Sequence, residues 1–389
     1  MVFIKKFIPV FMLVLSSAAY AQDIWSPPET DLLLEILDHA YNLEFDDFDN
    51  KIQLYQQKHP ERPEGIFAPV VAEWIKVTSD LYNPKFDGVF IEFVDDIIDK
   101  LEDFDDDDPL YPVAQFYYYS ATGFKGIMNV TRENWFSAAL DGRIAVKGVE
   151  DALEGKIPNP DAKFGTGLYL YYADILPSRY PILKPLFLFY PDGDKKRGLD
   201  DLKFATENGM FSKVIAAYMY SVILYTREDK FDEAFELMKS LSDKYPMNPT
   251  FITWQSWIAT RINQLDTAEK LLRLYEERVN NKVPYYPEHK MRMVNYRLGR
   301  IYYKKEQYEK AISYLDKAIS PLDGELEERT ERYKVYSYLQ KGYSLIELNK
   351  LDKAKDQFDI VLTYENYRNS HDLAEKQLKR ITNLKNREK

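Results

Sequence analysis

The stretch NYRLGRIYYKKEQYEKAISYLDKAI at 295–319 decides the fold, because a second stretch repeats its spacing of small and apolar residues. Counting from its glycine, the pattern has members at offsets of 3, 12, 16 and 19 residues: Gly299, Tyr302, Ala311, Leu315 and Ala318. The second stretch, YLQKGYSLIELNKLDKAKDQFDIVL at 338–362, has a small or apolar residue at the same offsets: Gly342, Leu345, Ala354, Phe358 and Val361. This repetition predicts two copies of one supersecondary unit.

The spacing within each copy is that of two helices packed as a hairpin. Small residues let two helix backbones approach, and apolar residues at helical spacing fill the gaps between them. Two earlier stretches fit the same pattern when they are aligned on Ala234 and Ala268. The alanines are 34 residues apart at the first step and 43 residues apart at the next two. Because one hairpin cannot bury its apolar face alone, the pattern predicts stacked neighbours.

At this point the chain resembles the tetratricopeptide-repeat (TPR) family. The units that carry the resemblance are Ala217–Asn248, Pro249–Lys282, Arg292–Asp323 and Val335–Asn366. The resemblance implies an all-α, TPR-like α-solenoid, a right-handed superhelix of helical hairpins. We therefore predict a TPR array of about four repeats over 209–370, followed by a C-terminal capping helix or tail over 371–389.

The region 22–208 has the same rhythm of helices and turns in a more divergent form. Helices are expected at 66–82, 86–104, 110–129, 133–154, 161–176 and 197–208. The tract 177–191 holds four prolines among large apolar residues, which predicts an ordered, non-helical connector. GTGLYLYYADILP at 165–177 and GDKKRGLDDLKFA at 193–205 also resemble exported bacterial TPR proteins of poorly defined function. We expect a divergent TPR-like helical region here.

The first 21 residues, MVFIKKFIPVFMLVLSSAAYA, have the three parts of a cleavable signal peptide. Lys5 and Lys6 precede a short apolar run, and Ala19-Tyr20-Ala21 supplies the small residues that a signal peptidase requires. We predict cleavage after Ala21 and a periplasmic or secreted protein. The chain has no cysteine, so it is not expected to be a lipoprotein, and no membrane span is expected after cleavage.

Composition argues against several functional classes. The chain has 63 acidic and 52 basic side chains, a net charge of −11, whereas nucleic-acid binding needs a basic footprint. The four histidines are widely separated, and the absent cysteines exclude thiol ligands, so no metal site is expected. Gly165-Thr166-Gly167 is interpreted as close helix packing, and the acidic run 95–108 as a helix end entering a solvated turn. We expect no cofactor and no catalytic residues.

In the TPR family the first helix of each hairpin lines the concave surface, which typically binds a peptide or a partner helix. The resemblance therefore implies a partner-binding groove formed by Met219, Arg227, Trp257, Arg261, Tyr296, Arg300, Tyr303, Lys304 and Tyr343. Four of these side chains are cationic and most of the others are aromatic. That composition indicates a partner that is acidic or bears a carboxylate. The competing interpretation is that the cations pair with acids on neighbouring helices.

The sequence predicts an exported, non-catalytic scaffold or adaptor that binds a protein or peptide, and it leaves the oligomeric state open. One alternative is a glycan-binding protein or an enzyme with a site in the aromatic-rich region 110–191. Its candidate stacking residues are Tyr117, Tyr118, Tyr119, Trp135, Tyr169, Tyr171 and Tyr172. A second alternative is an accessory factor in outer-membrane or cell-wall assembly.

Overall fold

The computed structural model describes residues 24–81, 83–179, 190–322 and 325–387. The predicted signal peptide at 1–21 and residues 180–189 of the predicted connector lie outside the described residues. Within the described ranges the chain forms α-helices joined by turns, with two short 3-10 helices and no β-strand. The predicted all-α class is confirmed.

The chain divides into two units, the first made of the described residues up to Thr78 together with Lys85–Thr226. Its helices are α1 (Thr30–Tyr41), α2 (Phe45–Lys58), α3 (Pro63–Ser79), α4 (Asp87–Glu102), α5 (Tyr111–Thr131), α6 (Trp135–Leu153), α7 (Ala162–Arg179), α8 (Lys195–Asn208) and α9 (Lys213–Arg227). Consecutive helices pack against each other in the pairs α1–α2, α4–α5, α5–α6, α6–α7 and α7–α8. Most helices of the region 22–208 thus pack against a neighbour in sequence.

The second unit comprises Ser79–Pro84 and the described residues from Arg227 onwards. Its helices are α10 (Phe231–Lys244), α11 (Pro249–Arg261), α12 (Leu265–Asn280), α13 (Met291–Lys304), α14 (Tyr308–Ile319), α15 (Glu325–Glu347), α16 (Leu351–Val361) and α17 (Ser370–Arg387). Besides packing in sequence, α13 contacts α15 and α15 contacts α17. Contacts between every second helix are what stacked hairpins require.

The alanines and glycines of the repeats lie where helices touch. The four aligned alanines are fully buried: Ala234, Ala268, Ala311 and Ala354. A Cβ atom on Gly299 would lie 2.6 Å from Cγ of Leu315, and one on Gly342 would lie 2.6 Å from the ring of Phe358. Both distances are inside van der Waals contact, so a larger residue at either position would force the facing side chain to move. The predicted hairpin packing is confirmed.

The observed helix boundaries follow the predicted ones within a few residues, with one informative difference. Helix α7 was expected to end at residue 176, before the first proline of the connector, but it continues to Arg179 and includes Pro177. A proline has no backbone N–H to donate, and its ring clashes with the carbonyl of the preceding turn. Both effects are tolerated best near a helix end. The expectation that no helix enters the tract 177–191 was therefore wrong for its first three residues.

Helices α7 and α8 approach at two glycines. A Cβ on Gly167 would lie 2.8 Å from the backbone nitrogen of Leu202, and a Cβ on Gly198 would lie 2.5 Å from the backbone nitrogen of Tyr171. A Cβ on Gly165, by contrast, would meet nothing within 4 Å. The predicted close packing at Gly165-Thr166-Gly167 is thus confirmed, and Gly167 is the residue responsible for it.

A single buried carboxylate, that of Asp161, caps the start of helix α9. Asp161 is 5% exposed, and its side chain accepts hydrogen bonds from the backbone nitrogens of Met210, Phe211 and Ser212 at 2.8, 3.2 and 2.9 Å. The Ser212 hydroxyl donates a fourth at 2.7 Å. The first backbone N–H groups of a helix lack partners within the helix, and a carboxylate satisfies them with charge-assisted bonds. Asp161 therefore holds this turn against the start of α7, fifty residues earlier in sequence.

In the second unit, Ser79 and Asp80 contact the short 3-10 helix Glu288–Lys290, which precedes α13. His289 Nε2 lies 2.8 Å from a carboxylate oxygen of Asp80, and the Lys290 ammonium donates to the Ser79 carbonyl. Burial lowers the pKa of Lys290 to about 8, despite the nearby Asp80 carboxylate. The His289 side chain is 10% exposed and paired with this acid.

Two glycines of one helix provide a matched test of the packing argument. We expect Gly167→Ala to lower the free energy of unfolding by about 1–3 kcal/mol, because the new methyl group collides with backbone atoms of α8. We expect Gly165→Ala to be neutral or to raise it by up to about 1 kcal/mol, since alanine is the better helix former and the space is open. Urea denaturation followed by circular dichroism measures both, and equal effects of the two substitutions would contradict this account.

Candidate functional site

The first helices of three successive hairpins, α11, α13 and α15, contribute to one surface of the second unit. Arg297 donates to the Thr253 carbonyl at 2.8 Å, and Lys304 donates to the Thr260 carbonyl at 2.9 Å, which joins α13 to α11. The Tyr296 ring lies 5.8 Å from the ring of Tyr336, which joins α13 to α15. We call this surface the cationic face and define it by Trp257, Arg261, Tyr296, Arg297, Arg300, Tyr303, Lys304 and Tyr343.

Three cations of this face lie close enough to affect one another. The pKa of Lys304 is lowered, first by partial burial and then by the positive charges of Arg300 and Arg261. The Arg300 guanidinium lies 5.8 Å from the Tyr296 ring centre, and that of Arg261 lies 4.6 Å from the Phe231 ring centre. The ion pairs found within the described ranges give none of these three cations a carboxylate partner. Like charges thus stand together without local neutralisation.

Aromatic side chains surround the cations. The rings of Trp254 and Trp257 stack with centres 5.2 Å apart, and the Arg297 guanidinium lies 4.5 Å from the Trp257 ring. The pKa of Tyr343 is raised by burial and by the neighbouring hydroxyls of Tyr303 and Tyr296, so these rings lie together. Aromatic and guanidinium groups side by side are typical of residues that contribute most to binding energy at protein interfaces.

Sequence reasoning missed Arg297, although a signal for it was present. Arg297, Arg300 and Lys304 lie at positions i, i+3 and i+7 of α13, which places all three on one stripe of the helix. Glu347 is the acid that lies at one end of this surface, within electrostatic range of Tyr303. The stripe is basic and aromatic along most of its length.

The other two predicted groove residues, Met219 and Arg227, belong to α9. Met219 is a half-buried residue of α9 in the first unit, and Arg227 is exposed at the last position of that helix. Seven of the nine predicted residues, Trp257, Arg261, Tyr296, Arg300, Tyr303, Lys304 and Tyr343, belong to helices of the second unit. Their role in binding stays a prediction.

The aromatic residues proposed for sugar stacking do not form one surface. Tyr117 and Tyr171 are 3% and 1% exposed and belong to the core, whereas Trp135 is 64% exposed. Tyr118 and Tyr119 line a cleft of about 400 Å³ together with Gln115, Arg143, Ile144, Val146, Lys147, Glu150 and Tyr190. An adjoining cleft of about 710 Å³ is lined mainly by acids of the predicted acidic run, and it shares Gln115 and Tyr118.

The structure also brings together one mixed group that the sequence did not indicate. Within the described part of the chain, ligand atoms of His39, Glu44 and Asp47 lie within 4.8 Å of one another. The Lys51 ammonium lies 2.7 Å from His39 Nε2, and His39 Nδ1 lies 2.6 Å from Glu44. The Lys51 ammonium also pairs with Glu35, so His39 lies within a network of polar contacts across the α1–α2 turn.

Comparison with known proteins identifies one repeat directly. Residues 293–320 match the family described as Tetratricopeptide repeat, which coincides with the third predicted unit. No curated protein sequence matches the chain. The recognised repeat and the observed hairpins confirm the predicted TPR-like helical-repeat fold, and such a fold is compatible with a protein-binding scaffold.

Solved structures of helical-repeat proteins align with most of the chain at low identity. A monomeric mutant of IFIT1 with m7Gppp-AAAA is 16% identical, with 94% of this chain and 89% of that chain covered and a TM-score of 0.44. A human IFIT1 dimer with PPP-AAAA is 14% identical, with 87% and 96% covered and a TM-score of 0.38. Yeast Tom70 is 13% identical, with 90% and 87% covered and a TM-score of 0.28.

In the helices that the structure describes, none is both long enough and apolar enough to cross a membrane.

The pKa of Lys304 reports the clustering of positive charge. We expect Arg300→Gln to raise the Lys304 pKa, because removing a neighbouring positive charge makes it easier to protonate the amine. NMR titration of the lysine ε-carbons measures the shift. Lys353→Gln, which removes an exposed cation on α16, serves as the control and is expected to leave the Lys304 pKa unchanged. An unaltered pKa in the Arg300 variant would mean that the Arg300 charge does not act on Lys304.

Proposed function

We propose that this protein is an exported, non-catalytic scaffold or adaptor that binds an acidic or carboxylate-bearing segment of a protein on the cationic face. The observation that carries the proposal is the clustering of Arg261, Arg300 and Lys304. Partial burial and then the two neighbouring positive charges lower the Lys304 pKa, and the three cations have no carboxylate partner among the ion pairs of the described residues. Clustered cations repel one another, so an incoming anion relieves that repulsion as it binds.

The geometry suits a peptide rather than a small anion. The cations extend along α13 over two helical turns, and half-buried rings on α11, α13 and α15 lie beside them. Arginine forms paired hydrogen bonds with a carboxylate, while the rings provide apolar contact for neighbouring side chains. A segment with carboxylates spaced along its length would use both parts of the surface.

An acidic protein segment is favoured over nucleic acid as the partner. The chain carries a net charge of −11, so a polyanion as long as RNA would meet repulsion wherever it extended beyond the cationic face. A short acidic segment places its charges only where the cations lie. The acidic surroundings of the cationic face therefore favour a partner that makes contact over a short length.

Binding of a defined acidic probe tests the proposal. We expect a fluorescein-labelled hexaglutamate peptide to bind, with affinity that falls as salt rises, and Arg261→Glu with Arg300→Glu to weaken it by at least about tenfold, because each reversal replaces attraction by repulsion. The matched control is Lys270→Glu with Lys353→Glu, which makes the same change in net charge at exposed residues on second helices of the hairpins. Fluorescence anisotropy measures all three proteins.

Several outcomes of this experiment would contradict the proposal. Equal loss in the control pair would show that net charge alone governs binding, and preferential binding of an oligoadenylate RNA would assign the face to nucleic acid. Crosslinking from native cell envelope, with the same variants, then identifies the partner and shows whether it belongs to outer-membrane or cell-wall assembly.

Export is the part of the proposal that rests on residues 1–21. Their basic start, apolar run and Ala-Tyr-Ala ending support cleavage by a signal peptidase. We expect the protein recovered from the periplasm or medium to begin at Gln22, as determined by mass spectrometry of the intact chain. Ala19→Asp with Ala21→Asp is expected to block processing, since both small residues are needed at the cleavage site. An intact N-terminus in the wild-type protein would overturn export by this route.

A further inference from the structure

Large apolar side chains are exposed at the end of the α5–α6 hairpin of the first unit. The exposed fractions are 64% for Trp135, 79% for Phe136, 51% for Leu140, 51% for Val130 and 41% for Ile127. We call these five residues the hairpin-tip patch. Scaled by these fractions, they expose on the order of 500 Å² of apolar surface, near the top of the range of about 300–600 Å² for the largest patch on a monomer.

At the hairpin tip, a polar side chain is buried while apolar side chains are exposed. Asp141, on α6, is 8% exposed and accepts a hydrogen bond of 2.8 Å from the Asn129 side chain on α5. On the same two turns of α6, Phe136 and Leu140 face outward. Helix α6 therefore directs its polar side chain towards α5 and its apolar side chains towards solvent. Such a helix has its apolar face available for a partner.

The exposed face of α6 has a definite pattern. Phe136, Leu140 and Arg143 lie at positions i, i+4 and i+7, which places them on one stripe of the helix. Ala139 is exposed on the same side, and Glu133 is exposed in the turn just before the helix. The face thus begins with an acid, continues with apolar residues and a small residue, and ends with a base.

We propose that the hairpin-tip patch binds a second copy of this chain, with α6 packed antiparallel to the partner's α6 about a two-fold axis that crosses the exposed face of the helix level with position 138. In that arrangement Phe136 packs on the partner's Leu140, and Glu133 lies opposite the partner's Arg143. Each contact occurs twice, as a two-fold interface requires. The small residues Ser137 and Ala139 flank the axis and let the two helices approach closely.

The size of the surface suits a reversible dimer. Stable interfaces bury about 800 Å² on each partner. The patch supplies roughly 500 Å² of apolar area, and the polar rim formed by Glu133, Ser137 and Arg143 adds to it. In addition, the Arg132–Asp87 ion pair of 2.9 Å brings the start of α4 to the tip, where Val89 is 63% exposed.

A lipid surface is a poorer occupant on charge grounds. Peripheral membrane helices carry an excess of lysine and arginine around their apolar face. Here the nearby cation Arg132 is neutralised by Asp87, and Lys125 by Asp95 at 2.5 Å. Among the described residues, the polar rim of the patch has one acid, Glu133, and one base, Arg143. This balance favours pairing with an identical face. This inference concerns residues of the first unit and does not depend on the proposed function.

Sedimentation velocity of the purified protein over a range of concentrations tests the dimer. We expect the wild type to dimerise and Leu140→Glu to raise the dissociation constant by at least about tenfold, because a charge then lies at the centre of the interface. Leu54→Glu, at a 56% exposed residue of α2 in the same unit, is the matched control and is expected to leave dimerisation unchanged. A monomer at every concentration, or equal dimerisation in both variants, would overturn the proposal.

Charge exchange tests the register. Glu133→Arg and Arg143→Glu are each expected to weaken the dimer, since like charges then face each other, and the double variant is expected to restore it. Because the chain has no cysteine, Ala139→Cys is expected to give a disulfide-linked dimer under mild oxidation, whereas Leu54→Cys is not. Failure of the double variant to recover would refute the antiparallel register. Binding of monomers to anionic vesicles that is lost in Leu140→Glu would assign the patch to lipid instead.

Discussion

The structure of the repeats depends on the close approach of two helices at a residue without a side chain. Leu315 occupies the space over Gly299, and the ring of Phe358 occupies the space over Gly342. In each contact, the nearest atom of the large side chain lies 2.6 Å from the position that a Cβ on the glycine would occupy. In these two hairpins the contact uses one side of the first helix, and another side of α13 presents the cations and rings of the cationic face.

The two surfaces of interest arise from opposite departures from ordinary helix patterning. On α13, cations at three positions of one stripe stand beside aromatic rings, and the pKa of Lys304 is lowered by burial and then by its cationic neighbours. On α6, the stripe at Phe136 and Leu140 is apolar and exposed while a carboxylate is buried on the other side. Neither arrangement stabilises the isolated hairpin, which is why each is proposed as a binding surface.

Most of the fold could be predicted because its determinants are local in sequence. Offsets of 12 and 16 residues from a glycine define which faces of two adjacent helices meet, and Ala311 and Leu315 are fully buried as that reasoning requires. The cationic face was predicted in part, since helical spacing selects Arg300 and Lys304. Arg297 was missed because its position was not among the offsets taken from the repeat. In the sugar-stacking set, Tyr117 and Tyr171 proved to be core, because aromatic residues alone do not reveal burial.

The sequence by itself determined the helices, their pairing into hairpins and the stripe of cations on α13, because each depends on side chains within about 20 residues of one another. Tertiary structure alone decided that Asp161 caps α9, that His289 pairs with Asp80 across 209 positions, and that Phe136 stands exposed. These outcomes depend on which residues from distant parts of the chain pack against each other. Helical periodicity carries information over a hairpin, whereas contacts between segments far apart in the chain are set only when the hairpins pack.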